Sequence, residues 1–352
     1  MIKHIRVASQ QLEHPRFETP KELISWMGAI QAQEYEMAKW AIGVRLRSST
    51  LEKVNESLRK GEILRTHVMR PTWHFVAAED IRWMLMLSSE RIKAAVMSYA
   101  KGHFGQIEQS LFTRCLDLIG KILEGHKSLT KQEITVELEK SGILPTTNHA
   151  NLFLTWGELE GIVCNGIDKG RKTTYALLDE RVPPARELCR EEALARLASR
   201  YFQSHSPAQL QDFVWWSGLT ATECKLAINL IQEELMVETS GSREYFIHQS
   251  WKGKHKSEPV LRFLPSFDEY LISYKNRTDV LPLEHHPRAF NRFGTFYPVI
   301  LYDGEIIGNW SRSVKKNTTQ IEMSFFGKKP RIPAGLIREA ETQINAFYMV
   351  SP

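Results

Sequence analysis

The chain has 352 residues with an ordinary apolar fraction of 42% and a charged fraction of 25%, which leaves room for roughly two to four domains with sizeable cores and excludes extended disorder. Its formal net charge of +5 is too small to establish a polyanionic partner by itself, so that case has to come from where the cations cluster. Cys115, Cys164, Cys189 and Cys224 lie far apart without a CxxC pair, which excludes a zinc module or disulfide framework, and no apolar run of about 18 residues occurs, so a cytosolic protein without membrane association is expected.

In chain order, Thr19-Pro20 opens a predicted helix, Glu34 to Leu46 forms a second and Leu51 to Lys60 a third, before strands at Ile63 to Met69 and Thr72 to Val76. Thr130 with Glu133 starts another helix that stops near Gly142, followed by one from about Asn148 to Gly161. Strands Ile162 to Cys164 and Thr174 to Leu177 then flank the cationic loop Lys169-Gly170-Arg171-Lys172. Ser206 is placed to cap a helix with Pro207 at its first position, running through Leu210, Phe213, Val214 and Trp215 to Gly218, with Trp215-Trp216 read as core. Thr220 and Glu223 open the next, whose apolar stripe is Leu226, Ala227, Leu230 and Ile231. Strands Met236 to Thr239 and Tyr245 to Ile247 enclose Ser240-Gly241-Ser242-Arg243.

Helix, helix, hairpin is a winged-helix order, and its recurrence weighs more than one occurrence. After about Ser257 the text changes to short β-prone runs: Val260 to Leu264, Tyr297 to Leu301, Glu305 to Gly308 and Ile321 to Phe325, with a tight turn at Asp303-Gly304. Leu281 to Arg292, with His285 and His286, reads as a loop, and a helix from about Ala334 to Ala346 closes the chain. The expected fold is α+β, with tandem winged-helix domains at 1–100, 101–185 and 186–256 and a β-rich domain at 257–352.

Two places carry chemistry. Gln31 and Gln33 flank Ala32; on a helix, residues two apart diverge by about 200°, so the pair converges only if the chain is extended or turned there, and such a break is expected. A carboxamide is no base near neutral pH, but it orients a water and lays carbonyl oxygens beside developing positive charge. That suits departure of a base that is already cationic, such as N7-alkylguanine or N3-alkyladenine, from an oxocarbenium-like sugar. Surface glutamines between helices are also common, and Glu34, Glu36 and Asp80 are alternative bases unless they serve the helix dipole.

The second place is the hairpin Arg65 to Val76, which alternates polar and apolar residues as a half-buried hairpin does. Arg65, His67, Arg70 and His74 can touch phosphates or a groove, or the two histidines can pack and hydrogen-bond within the fold. Lys169, Arg171, Lys172 and Arg243, at wing tips, are further phosphate contacts. No HExxH or carboxylate-flanked His pair points to a metal, and no cofactor is expected.

The strings Gly28-Ala29-Ile30-Gln31-Ala32-Gln33-Glu34, Leu64-Arg65-Thr66, Met69-Arg70-Pro71-Thr72-Trp73-His74, Asp212 to Leu219, Leu264-Pro265-Ser266-Phe267-Asp268-Glu269-Tyr270-Leu271 and Phe296 to Gly304 resemble, in the right order, the AlkZ/YcaQ-type winged-helix DNA glycosylases. The resemblance implies tandem winged helices in a C-shaped molecule with a C-terminal β domain. It also implies a monofunctional enzyme that uses water to remove bulky alkylated purines and, in some members, unhooks interstrand crosslinks. Gln31 and Gln33 match the catalytic Gln-x-Gln form, where YcaQ-like members carry Asp second; Pro71 and Trp73 replace the more usual glycine and leucine. The expected partner is double-stranded DNA bearing alkylated purines, met by a monomer in the cytosol at the nucleoid. The alternative is a noncatalytic winged-helix regulator, which would need base-reading side chains on Thr220 to Leu235.

Overall fold

The computed structural model describes residues 1–104, 108–143, 147–251, 258–315 and 318–349, with backbone alone at 104, 109, 147–148, 314–315 and 318–319. The expected junction at Ser257 lies outside the described residues. Helix and sheet are mixed, and the chain divides into two compact units, Met1–Glu56 with Leu194–Pro352, and Ser57–Ala193.

In the Ser57–Ala193 unit, strands Ile63–His67 and Trp73–Ala77 pair antiparallel, with His67 opposite Trp73. The helices Ile81–Phe104, Gln109–Leu123, Lys131–Lys140 and Thr147–Leu159 follow. Strand Thr174–Leu177 lies between Leu129–Thr130 and Val163–Asn165. Phe112, Cys115, Ile119 and Leu123 recur at three- to four-residue spacing on one helix and bury against Ile134, Leu138, Phe153, Trp156 and Val163. The Thr130–Glu133 capping box forms as expected: the Glu133 backbone N–H donates to Thr130 Oγ1 at 3.2 Å, and the Thr130 N–H to Glu133 Oε2 at 2.7 Å. The hairpin is not half-buried, because both faces of its strands are mostly covered.

The other unit contains helices Pro20–Met27 and Tyr35–Gly43, most of Arg190–His205, then Leu210–Ser217 and Ala221–Leu230. The helix expected to start at Pro207 starts at Leu210, where the Gln209 N–H donates to Asp212 Oδ2 at 3.0 Å. Ala208 is extended instead, because it exchanges two backbone hydrogen bonds with Phe246, at 3.1 and 2.8 Å, and so satisfies the edge of the hairpin Leu235–Ser240/Arg243–His248. On Ala221–Leu230 the buried stripe is Cys224, Ala227 and Ile228, continued by Ile231, whereas Leu226 and Leu230 are exposed. Positions 224, 227 and 231 share a face, and Leu226 lies about 200° from Cys224.

The C-terminal sheet runs in the order Thr318–Phe325, Glu305–Lys315, Val299–Tyr302, Leu261–Leu264. Asp303 and Gly304 take the left-handed φ values of 48° and 79° that the tight turn requires. Short helical turns at Leu283–His285 and His286–Ala289 occupy the segment expected to be a loop, with Pro287 pre-set at the start of the second. Helix Ala334–Tyr348 buries Phe347, whose ring lies 5.1 Å from that of Trp40.

One ion pair locks this unit internally. The Arg45 guanidinium forks onto Asp268, Nη1 to Oδ2 at 2.8 Å and Nη2 to Oδ1 at 2.7 Å, with neither side chain more than 1% exposed. Asp268 also caps the short helix Glu269–Ile272 by accepting from the Tyr270 N–H at 2.9 Å. Removing the carboxylate leaves a buried, half-satisfied guanidinium. Asp268→Ala should therefore cost about 3–5 kcal/mol in urea unfolding; a loss under about 1 kcal/mol would show that the pair is not a structural lock.

Candidate active site

Helix Pro20–Met27 stops at Gly28, whose φ of 78° is one L side chains rarely adopt; a Cβ there would also sit 3.4 Å from the Trp216 ring and 3.6 Å from the Cβ of Arg200. The chain leaves as the extended pair Ile30–Gln31 and becomes helical again at Tyr35, with Glu34 as N-cap. The break expected between the two glutamines' flanking helices is present. Gln31 is 3% exposed and Ala32 buried, while Gln33 is exposed.

Beneath this segment lies a carboxylate that sequence reasoning did not single out. The Gln31 N–H donates to Glu269 Oε1 at 2.6 Å. Glu269 Oε2 accepts from Trp216 Nε1 at 3.1 Å and from the Ser273 hydroxyl, and His205 Nε2 lies 3.7 Å away. Glu269 and His205 are fully buried. Burial by itself raises the Glu269 carboxyl, but His205, the Ser273 hydroxyl and the Gln31 N–H outweigh it and pull the group down to about 2. Burial lowers His205. A signal for Glu269 was in the text: adjacent acids inside the apolar run Phe267 to Ile272 need internal partners.

Glu269 accepts from three donors and is fully buried, so it is not placed as a general base. Of the other acids weighed, Glu36 pairs with Lys39 at 2.9 Å, and Asp80 is buried and accepts from Trp83 Nε1 at 2.9 Å. Glu34, the third acid weighed, is exposed at the N-cap of the following helix beside Gln33, and Glu36 is exposed as well, so this stretch presents both an amide and carboxylates to solvent.

In the Ser57–Ala193 unit, His67 and His74 are turned inward. His67 is 8% exposed and bonds Glu158 through Nδ1; His74 is fully buried with Nδ1 2.9 Å from the Thr72 carbonyl. The covered hairpin faces are the reason. Arg65 and Arg70 are half-buried, with the Arg65 guanidinium 4.3 Å over the Trp73 ring. Trp73 also lies 4.5 Å from the His67 ring, so this departure from the family pattern is packed into the hairpin.

Lys169, Arg171 and Lys172 are exposed around a turn in which Lys169 pairs with Lys172. Lys169 is held by Glu133 at 2.7 and 2.9 Å, whereas Arg171 and Lys172 make no ion pair among the described residues. Arg243 is not at a tip: the turn is only Gly241–Ser242, so Arg243 pairs in a strand with Ser240 and its guanidinium meets Asp279 at 3.1 Å. Asp279 also binds Arg6 at 3.2 Å and the Tyr245 hydroxyl at 3.0 Å. Trp215 and Trp216 are committed to the Ile272 carbonyl and Glu269.

Among the described residues, no cluster of three or more His, Cys, Asp or Glu is placed to hold a metal ion, and no helix is long and apolar enough to cross a membrane. In fold the chain is similar to the Streptomyces sahachiroi DNA glycosylase AlkZ, with a TM-score of 0.81 at 18% identity over 98% of this chain and 95% of that one. In sequence it is 22% identical, over 326 residues, to the interstrand DNA cross-link repair glycosylase of Streptomyces sahachiroi, covering 87% of this chain and 85% of that protein. The protein is thus a DNA-repair enzyme, a DNA glycosylase, and not the noncatalytic regulator weighed as an alternative. It belongs to the DNA glycosylase AlkZ-like family, whose match spans residues 24–345.

The depressed Glu269 carboxyl has a consequence in acid. Its stabilising contribution is complete above the unfolded value near 4.5 and drains as pH falls toward about 2. Unfolding free energy measured by urea from about pH 5 to about pH 2.5 should fall more steeply in the native chain than in Glu269→Gln, and parallel curves would contradict the assignment.

Proposed function

We propose that this glycosylase is monofunctional and hydrolyses the N-glycosidic bond of cationic N-alkylated purines, N7-alkylguanine and N3-alkyladenine, including those that form interstrand crosslinks. Gln31 and Gln33 are the catalytic residues. The observation that carries this function is the non-helical Gln31-Ala32-Gln33 break, which leaves the strand Ile30–Gln31 through a bend at Gln33 and is pinned to a buried carboxylate through the Gln31 N–H, with Gln33 open to solvent.

The reaction asks little of the protein as an acid. The C1′–N bond breaks with its electron pair passing to the positively charged base, which leaves neutral. A water held by the two carboxamides adds through oxygen to C1′, and its proton goes to solvent. The amide oxygens face the positive charge that builds on the sugar. No metal, cofactor or lysine adduct takes part. The crosslink activity named for the Streptomyces sahachiroi relative supports the crosslink substrate.

Duplex DNA is bound by a monomer, at the nucleoid, through tandem winged helices within 1–100, 101–185 and 186–256, with 257–352 as the β-rich domain. Support comes from the recurring order of capped helix, second helix and antiparallel hairpin. Arg171 and Lys172 are the principal phosphate contacts of the second wing, and Arg65 and Arg70 serve the hairpin. Lys169 and Arg243, held by Glu133 and Asp279, contribute less.

Single-turnover release of 7-alkylguanine and 3-alkyladenine from defined duplexes tests the chemistry. Gln31→Ala with Gln33→Ala should lower release by at least about 100-fold while duplex affinity stays within a few fold; native rates in the double variant would refute the assignment. For the wing, Arg171→Ala with Lys172→Ala should flatten the dependence of log K on log salt by about 2. An unchanged slope would take this loop off the DNA.

A further inference from the structure

We propose that Glu269 is a positioning residue for the amide pair, holding the Gln31 backbone through a charge-assisted hydrogen bond and thereby setting where the Gln31 carboxamide points. This rests on Gln31 and Gln33 being the groups that hold the reacting water.

The two oxygens of Glu269 face different tasks. Oε2 faces the Trp216 indole N–H and the Ser273 hydroxyl, with the His205 ring beyond hydrogen-bond range at 3.7 Å. Oε1 faces the Gln31 N–H at 2.6 Å, shorter than the roughly 2.9–3.0 Å of a neutral N–H···O bond. Every bonded neighbour of the carboxylate is therefore a donor. A glutamine in its place would keep the shape but turn an NH2 group toward one of these donors, so either Gln31 or the Trp216–Ser273 side would lose its acceptor.

Burying a carboxylate is costly unless its bonds are good, and a structural filler at this position would not need the charge. The charge is useful where it is. Gln31 belongs to a two-residue strand, Ile30–Gln31, between Gly28 and a helix that begins at Tyr35. The side chain of Gln31 leaves from the Cα next to the N–H that Glu269 holds. Rotation there would swing one carboxamide relative to the other, and a displacement of about 1 Å at a reacting centre costs on the order of 100-fold in rate. Glu269 is itself immobilised: it opens the short helix Glu269–Ile272, which Asp268 caps while clamped by Arg45.

The test uses the full-length chain with Glu269→Gln, Glu269→Asp and, as a stability control, Trp310→Phe, which removes a different buried bond, Trp310 Nε1 to the Leu264 carbonyl at 2.7 Å. Three quantities are measured: single-turnover release at saturating enzyme, the dissociation constant for an undamaged duplex, and the amide proton shift of Gln31 by NMR. Glu269→Gln and Glu269→Asp should each lower release by about 10- to 100-fold with the dissociation constant within about threefold, and move the Gln31 amide proton upfield, the sign of a weakened charge-assisted bond. Trp310→Phe should lower the melting temperature without either change. The proposal is overturned if either Glu269 variant keeps native release and an unmoved Gln31 amide, or if release in all three variants merely follows the folded fraction. If the native chain releases no base, the substrate assignment has failed; the amide shift then still decides whether Glu269 holds Gln31.

Discussion

Two neighbouring buried carboxylates organise the unit that carries the amide pair. Asp268 takes a forked ion pair from Arg45 and caps a four-residue helix; Glu269, the first residue of that helix, receives the Gln31 N–H. Arg45 lies just beyond the helix Tyr35–Gly43 that follows the glutamines. One dipeptide therefore grips the Gln31-Ala32-Gln33 segment on both sides, at its strand and beyond its following helix. Each acid is expensive to bury singly, and each is stabilised by three hydrogen-bond donors.

This arrangement suits the proposed chemistry. A general base contributes by proton affinity and tolerates some play, whereas neutral amides have only placement and dipole to offer. The rigidity has to come from elsewhere, and the buried charge-assisted bond from the Gln31 N–H to Glu269 contributes it. With its carboxyl held down to about 2, Glu269 stays ionised at ordinary pH and keeps that grip constant.

Features written in local chemistry were legible in the text. Thr130 with Glu133 and Thr220 with Glu223 announced helix starts because a capping box needs only four residues, and Asp303-Gly304 announced its hairpin because few dipeptides accept two left-handed φ values. The break around Gln31 and Gln33 followed from helix geometry alone. Features decided at a distance were not. Nothing near Pro207 in sequence reveals that Ala208 will pair with Phe246, and the exposed Leu226 and Leu230 look as apolar as the buried face. The first turns of Ile81–Phe104 are buried on several sides, so the apolar period is blurred; the periods of Gln109–Leu123 and Arg190–His205 are present but lack a capping-box start. Glu269 was visible only as an acid in an apolar run, because its partner is 238 residues away.

The same distinction sorts the cations. Sequence counts an arginine, a lysine or a histidine as a potential phosphate contact wherever a turn or strand presents it, yet affinity for DNA depends on charge that is still uncompensated when the phosphate arrives. His67 and His74 are spent on Glu158 and the Thr72 carbonyl, Arg243 shares Asp279 with Arg6 and Tyr245, and Lys169 leans on the helix-capping Glu133. Arg171 and Lys172 sit exposed beside Lys169 without an ion pair among the described residues. A turn built this way keeps one cation as a strut between turn and helix and leaves the next two facing outward.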